Sequence, residues 1–171
     1  MVQQRIYVGA VTSWDNRVAV LWESCGEKSE AEFLAAMQDL IDELGVDDPR
    51  RSYQRASALD YVGRESEAEP LYREAIGAGL DGVSRLDGLR CRLQLASTLR
   101  NLGQAQDALA VLEAINAESL KPEQRDWLDS FLALCQVSAG RERDGARTAL
   151  LALSRHLTEY TETVPREARN L

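Results

Sequence analysis

Three cysteines, one histidine and a few close pairs of acids are the side chains here with chemistry to offer. Cys25, Cys91 and Cys135 stand far apart, with no Cys-x-x-Cys pair, so neither a zinc site nor a disulfide framework finds clustered ligands. A cysteine or serine nucleophile needs a base in reach. His156 is the sole histidine, and it follows Arg155 in a helical stretch, where a surface role fits it better than proton transfer. Glu30 and Glu32, and likewise Glu65 and Glu67, sit at helix starts, where carboxylates favour the positive end of the macrodipole. The glycines are single turn markers with no strand before them, so no phosphate loop or dinucleotide fingerprint is present. The residues predict a non-enzymatic chain with no cofactor and no bound metal.

The 171 residues suit one compact domain or one short repeat array. Hydrophobic residues make up 44%, enough for a core, and the charges are mixed in sign, which marks a globular chain. The 20 Lys and Arg against 28 Asp and Glu give a net charge of −8, which repels nucleic acid and anionic membrane, so neither is expected as a partner. Three widely spaced thiols read as free, with Cys91 and Cys135 in the core, and fit a reducing cytoplasm. The N-terminus has neither the basic leader nor the apolar run of a signal peptide, and no stretch reaches membrane-spanning length.

Residues 1–12 end in the β-prone "IYVGAV", expected to be a loose or docking arm. Residues 13–46 read as a helical extension. Ser13 caps a helix over 14–24 with Trp14, Val18, Leu21 and Trp22 on one stripe; Ser29 and Glu32 form a capping box for a second, which buries Phe33, Met37, Leu40, Ile41 and Leu44 and stops at Gly45. Asp48-Pro49 starts a helix to about 62, and Gly63 ends it. Its partner follows from Glu65 to Ala78. Ser84 with Asp87 starts the next helix, Gly103 ends it, and a partner covers 105–116. Pro122 opens another helix to Ala139, Gly140 ends it, and a long last helix reaches Tyr160. Residues 162–171, with Pro165, read as a frayed tail.

The pattern is therefore helix, glycine turn, helix, three times, with Gly63, Gly103 and Gly140 spaced by 40 and 37 residues. Ala56, Ala96 and Ala133 each stand seven before the turn glycine; Ala68 and Ala108 stand five after it. Two antiparallel helices in close contact need small residues at those places. Tyr72 and Leu112 fill the space four further on.

On these residues the chain resembles the tetratricopeptide repeat family, whose period is about 34 residues with one helical hairpin per repeat. More narrowly, "RASALDYVGRESEAEPLYREAI" and "LASTLRNLGQAQDALAVLEAI" are similar to the bacterial group 5 form of the repeat. The resemblance covers about Asp47 to Tyr160, so the array is bounded at 47–161. The third hairpin departs from it: Gly145 replaces the small Ala, Gln136 a usual large residue, and Ala149 matches Tyr72. The resemblance implies an all-α, right-handed superhelical array of about three hairpins, and a protein-interaction scaffold that takes a peptide or helix of a partner in its concave groove. The first helices would line that groove through Arg50, Tyr53, Ser57, Asp60 and Tyr61, then Arg90, Ser97, Arg100 and Asn101, then Trp127. A rival placement pairs Arg100 with Asp60 across the stack and leaves Asn101 to close a helix end. The carboxylate clamp of some family members needs Lys on groove helices; only Lys28 and Lys121 occur, off those helices, so no such clamp is expected. Trp14, Trp22, Phe33, Met37 and Ile41 are expected to cover the open end of the first hairpin. The alternative is a structural or regulatory homodimer in which helices pair with a second copy.

Overall fold

The computed structural model describes residues 13–171; the expected arm, 1–12, and the side chain of Ser13 lie outside the described residues. Among the described residues ten α-helices follow one another: α1 Ser13–Glu23, α2 Glu30–Asp42, α3 Arg50–Tyr61, α4 Glu65–Gly77, α5 Leu80–Val83, α6 Arg85–Asn101, α7 Ala105–Glu113, α8 Pro122–Ser138, α9 Glu142–Ser154 and α10 Thr163–Arg169. Among the described residues there is no strand.

Three turns are built alike. Gly63, Gly103 and Gly140 have φ of 77°, 77° and 75°, the left-handed region that side chains resist. Each closes a Schellman motif that satisfies the last carbonyls of the helix before it. Arg64 N donates to Leu59 O at 2.9 Å and Gly63 N to Asp60 O at 3.0 Å. Gln104 to Leu99 and Arg141 to Gln136, both 2.8 Å, repeat the first bond. The chain reverses at each, giving hairpins α3/α4, α6/α7 and α8/α9.

The hairpins stack in order: α4 packs on α6, α7 on α8, and α6 on α8. One continuous core runs between them through Ala56, Ala68, Tyr72, Cys91, Leu95, Ala96, Leu99, Ala108, Leu112, Leu128 and Cys135. Small residues meet where the backbones approach, and Tyr72 and Leu112 fill the wider space beyond. Each such large side chain contributes about 1.5–3 kcal/mol on burial. In the third hairpin the approach is tighter still. A Cβ on Gly145 would lie 2.7 Å from Val137 Cγ2 and 2.8 Å from Ala133 O, so the glycine is what lets α9 close on α8.

The N-terminal pair covers the first hairpin. Trp14, Val18, Leu21, Phe33, Met37, Leu40 and Ile41 form a second cluster that reaches Ala58 and Val62 of the α3 region. Trp14 Nε1 donates to Leu40 O at 2.7 Å. The capping box at Ser29 is complete in both directions.

Four boundaries differ from the expected ones, and one of them is the end of α7, at Glu113 rather than 116. Helix α2 ends at Asp42, short of Gly45, because Arg51 of α3 donates to the carbonyls of Ile41 (2.7 Å) and Leu44 (2.9 Å) and so satisfies the helix end from outside. The glycine-rich connection after α4 holds the short helix α5, with Leu80 fully buried. Helix α9 ends at Ser154 rather than reaching Tyr160. Beyond it Arg155 and His156 fold back onto α8, and Tyr160 takes a φ of 58°. The tail is not frayed: α10 packs on α9 and buries Ala168. Pro165 lies in its first turn, where a missing N–H costs nothing.

Candidate functional site

The ten residues expected on the groove divide by hairpin. All five from the first hairpin are engaged in packing. Arg50 pairs with Asp48 at 2.6 Å and lies over the Trp14 ring, 5.0 Å from its centroid; the Asp48 carboxylate is held below its ordinary pKa chiefly by that hydrogen bond. Tyr53 is buried against Tyr72, ring centroids 6.5 Å apart, and burial pushes its hydroxyl pKa up. Ser57 is buried and donates to Tyr53 O at 2.9 Å; its Oγ also lies 3.3 Å from Gln94 Oε1 of the next hairpin. Asp60 accepts from Thr98 Oγ1 at 3.0 Å and from Tyr72 OH at 3.4 Å. Tyr61, half-exposed, meets the rings of Trp22 and Phe33 edge-on at 5.7 and 5.2 Å.

Of the residues from the later hairpins, Arg90, Asn101 and Trp127 are exposed, and Ser97 and Arg100 are half-buried. Arg90 is exposed and 3.6 Å from Asp87. Ser97 is half-buried. Arg100 donates through Nη2 to Asn101 Oδ1 at 3.0 Å, and its Nε is buried with no hydrogen-bond partner. Asn101 is exposed, and Trp127 is 36% exposed. The rival pairing of Arg100 with Asp60 does not form. The stack sets Asp60, three before its glycine, opposite Thr98, five before the next one, so Asp60 is used up two positions short of Arg100.

Thr98, Gln94 and Asp129 carry contacts that periodicity alone did not single out. Thr98 is a polar residue inside the apolar run "LQLASTL", and that interruption is the signal for an inter-hairpin bond. Asp129, buried, binds Arg125 at 3.1 Å and Arg155 at 2.8 Å; Arg125 stands four before it on the same helix.

The two cysteines buried in the core are placed for packing, and His156 lies at the surface. Cys91 is buried, donates to Tyr72 O at 3.6 Å, and burial pushes its thiol pKa up to about 12, far from a thiolate at neutral pH. Cys135 is also buried, and its thiol is raised for the same reason. His156 Nε2 lies 2.9 Å from Asp126 Oδ2 on the surface. Among the described residues no group of three or more His, Cys, Asp or Glu could hold a metal ion, and no helix is long and apolar enough to cross a membrane.

Comparison with known proteins agrees with the three hairpins. A solved structure titled "MamA RS-1 ArsTM double mutant" superposes with a TM-score of 0.61 at 15% identity, over 94% of this chain and 93% of that one, a likeness of fold. No curated protein matches the chain. A family model described as "Tetratrico peptide repeat" matches residues 49–171, which takes in all three hairpins and also α10, past the end expected at residue 161. The chain therefore belongs to the tetratrico peptide repeat family, whose folded units serve as protein-interaction scaffolds.

Proposed function

We propose that the chain is a non-enzymatic adaptor, and that a segment of a partner protein lies along the first helices of the second and third hairpins, α6 and α8. Arg100 and Asn101 supply the polar anchor, Trp127 the aromatic one, and Arg90 and Ser97 line the path between. Arg and Trp are the side-chain types that dominate binding hot spots. The carrying observation is Arg100 Nε, a buried donor without an acceptor. Such a group costs about 1–3 kcal/mol unless something accepts from it; it is closed to solvent, so a carboxylate or carbonyl of a bound segment would reach it once the Arg100 side chain turns outward on binding. Tyr53, Ser57 and Asp60 serve the stacking beneath this surface. Two buried thiols favour a reducing compartment such as the cytoplasm.

The experiment is capture of partners from the native cell with the wild type, Arg100→Ala and Trp127→Ala side by side. Both variants are expected to keep the wild-type melting temperature and lose the captured protein. Binding is also expected to weaken with salt if Arg100 meets an acidic group. Undiminished capture by both variants would place the binding surface elsewhere.

A further inference from the structure

Counted from the turn glycine, the three hairpins place Arg55, Leu95 and Leu132 eight residues before it, and Ala58, Thr98 and Cys135 five before it. Leu95 is buried in the core and Leu132 packs against it. The first hairpin departs from the other two at both places. A cation stands where they hold leucine, and the smallest side chain of its set stands three residues on, on the same face of α3. The element met there also differs. Thr98 meets the preceding hairpin, whereas Ala58 meets the N-terminal cover.

A hollow of about 160 Å³ lies there, between α2 and the first hairpin. Met37, Ile41, Ala58 and Leu59 are its buried lining, and Arg55 and Glu67 its exposed lining. Arg64 also borders it and is tied to Glu67 by two hydrogen bonds of 2.7 Å, so those two charges cancel. Arg55 makes no hydrogen bond or ion pair among the described residues. One uncompensated positive charge therefore stands beside an apolar floor, in a chain whose net charge is −8.

We propose that this hollow binds a short aliphatic carboxylate, its carbon chain against Met37, Ile41 and Ala58 and its carboxylate on Arg55. Size sets the chain. An apolar cavity of about 150 Å³ takes benzene, so 160 Å³ suits an aliphatic chain of about five or six carbons. Charge sets the head group. A guanidinium offers a fork of N–H donors that matches the two oxygens of a carboxylate, and at Arg55 no protein acceptor occupies it. A ligand so held touches both α2 and α3. It fastens the cover to the first hairpin and stabilises the folded chain by mass action. No residue of the hollow belongs to the surface on α6 and α8, so this site and the adaptor surface can fail separately.

The test uses the full chain labelled with ¹³C in its methionine methyl groups. Met1 and Met37 are its two methionines, so the NMR signal of Met37 reports on the hollow directly, and Met37→Leu assigns it. The probe is 4-methylpentanoate. It is expected to move the Met37 signal saturably, with a Kd on the order of 1 mM for a ligand of this size, and to raise the melting temperature. Acetate, which lacks the chain, and 4-methylpentan-1-ol, which lacks the charge, should each bind about fivefold more weakly or worse. Arg55→Gln should weaken the probe by a similar factor. Arg55→Leu, which restores the residue of the other hairpins, should abolish its binding. Arg85→Gln removes another exposed arginine, at the start of α6, and should change nothing. All three substitutions fall at exposed positions and are expected to leave the fold intact. A Met37 signal indifferent to the probe, an equal response to the alcohol, or a response that survives Arg55→Leu overturns the proposal. So does a response confined to the same carboxylate carried at the end of a peptide, which would give the hollow to a partner protein.

Discussion

Asp60 on α3 accepts a hydrogen bond from Thr98 on α6 across 38 positions of sequence, at 3.0 Å. Together with Ser57 to Gln94 it ties the first two hairpins, and it marks their offset: a residue three before one turn glycine faces a residue five before the next. Burial pushes the Asp60 carboxyl pKa up, and its bonds from Thr98 and Tyr72 only partly offset that.

A raised folded pKa means the folded state holds its proton more tightly than the unfolded chain. The ionised Asp60 therefore works against folding at neutral pH, and stability falls as pH rises from about 3.8 through the raised value. Asp60→Asn keeps an acceptor for Thr98 without the charge. Its melting temperature is expected to equal or exceed the wild type at pH 7, and to converge with it below pH 4.

Asp126 has the opposite sign. Hydrogen bonds from Arg155 and His156 hold its pKa below the ordinary value, so its contribution is present above about pH 4 and is lost as pH falls through the lowered value. Asp126→Asn should lower melting at pH 7 and match the wild type in acid. Thermal melts from pH 3 to 7 check both carboxylates in one series.

Gly103→Val is expected to destabilise by about 1–3 kcal/mol. No neighbour lies within 4 Å of a Cβ built there, so the cost is backbone strain at a φ of 77° and not a clash. Chemical denaturation would show a shifted midpoint with an unchanged slope.

Gly145→Ala separates packing from helix propensity. Alanine gains up to about 1 kcal/mol in a helix interior, but overpacking costs about 1–3 kcal/mol. The 2.7 and 2.8 Å contacts of the added methyl decide for the second, and a net loss is expected. Gly77→Ala, at the end of α4 with open space around it, should instead stabilise by about 0.4–1 kcal/mol.

Phe33→Ala should cost about 3–5 kcal/mol. Phe33 is buried between Trp22, at 5.0 Å, and Tyr61, so its loss loosens the cover over the first hairpin. A red shift of tryptophan emission would accompany the lower melting temperature.

The parts legible from residue order alone are those whose hydrogen bonds close within a few residues. Ser29 with Glu32, Ser84 with Asp87, and the glycines at 63, 103 and 140 could be read directly, because a cap or a Schellman turn is a ring of local bonds. The small-residue spacing of Ala56 with Ala68, and of Ala96 with Ala108, carried the hairpin pairing, since it repeats at a helical period. How one hairpin sits on the next is a matter of long-range packing. Nothing in the periodicity of α6 says that Thr98, and not Arg100, meets Asp60; nothing in α3 says that Tyr53 and Ser57 are buried while Asn101 stays open. The end of α2 was set by Arg51 reaching back from α3, and the order of the tail by the contact of α10 with α9. These outcomes rest on the summed packing of side chains tens of residues apart. A shift of one position in the stack would exchange one set of contacts for another without changing a single local signal.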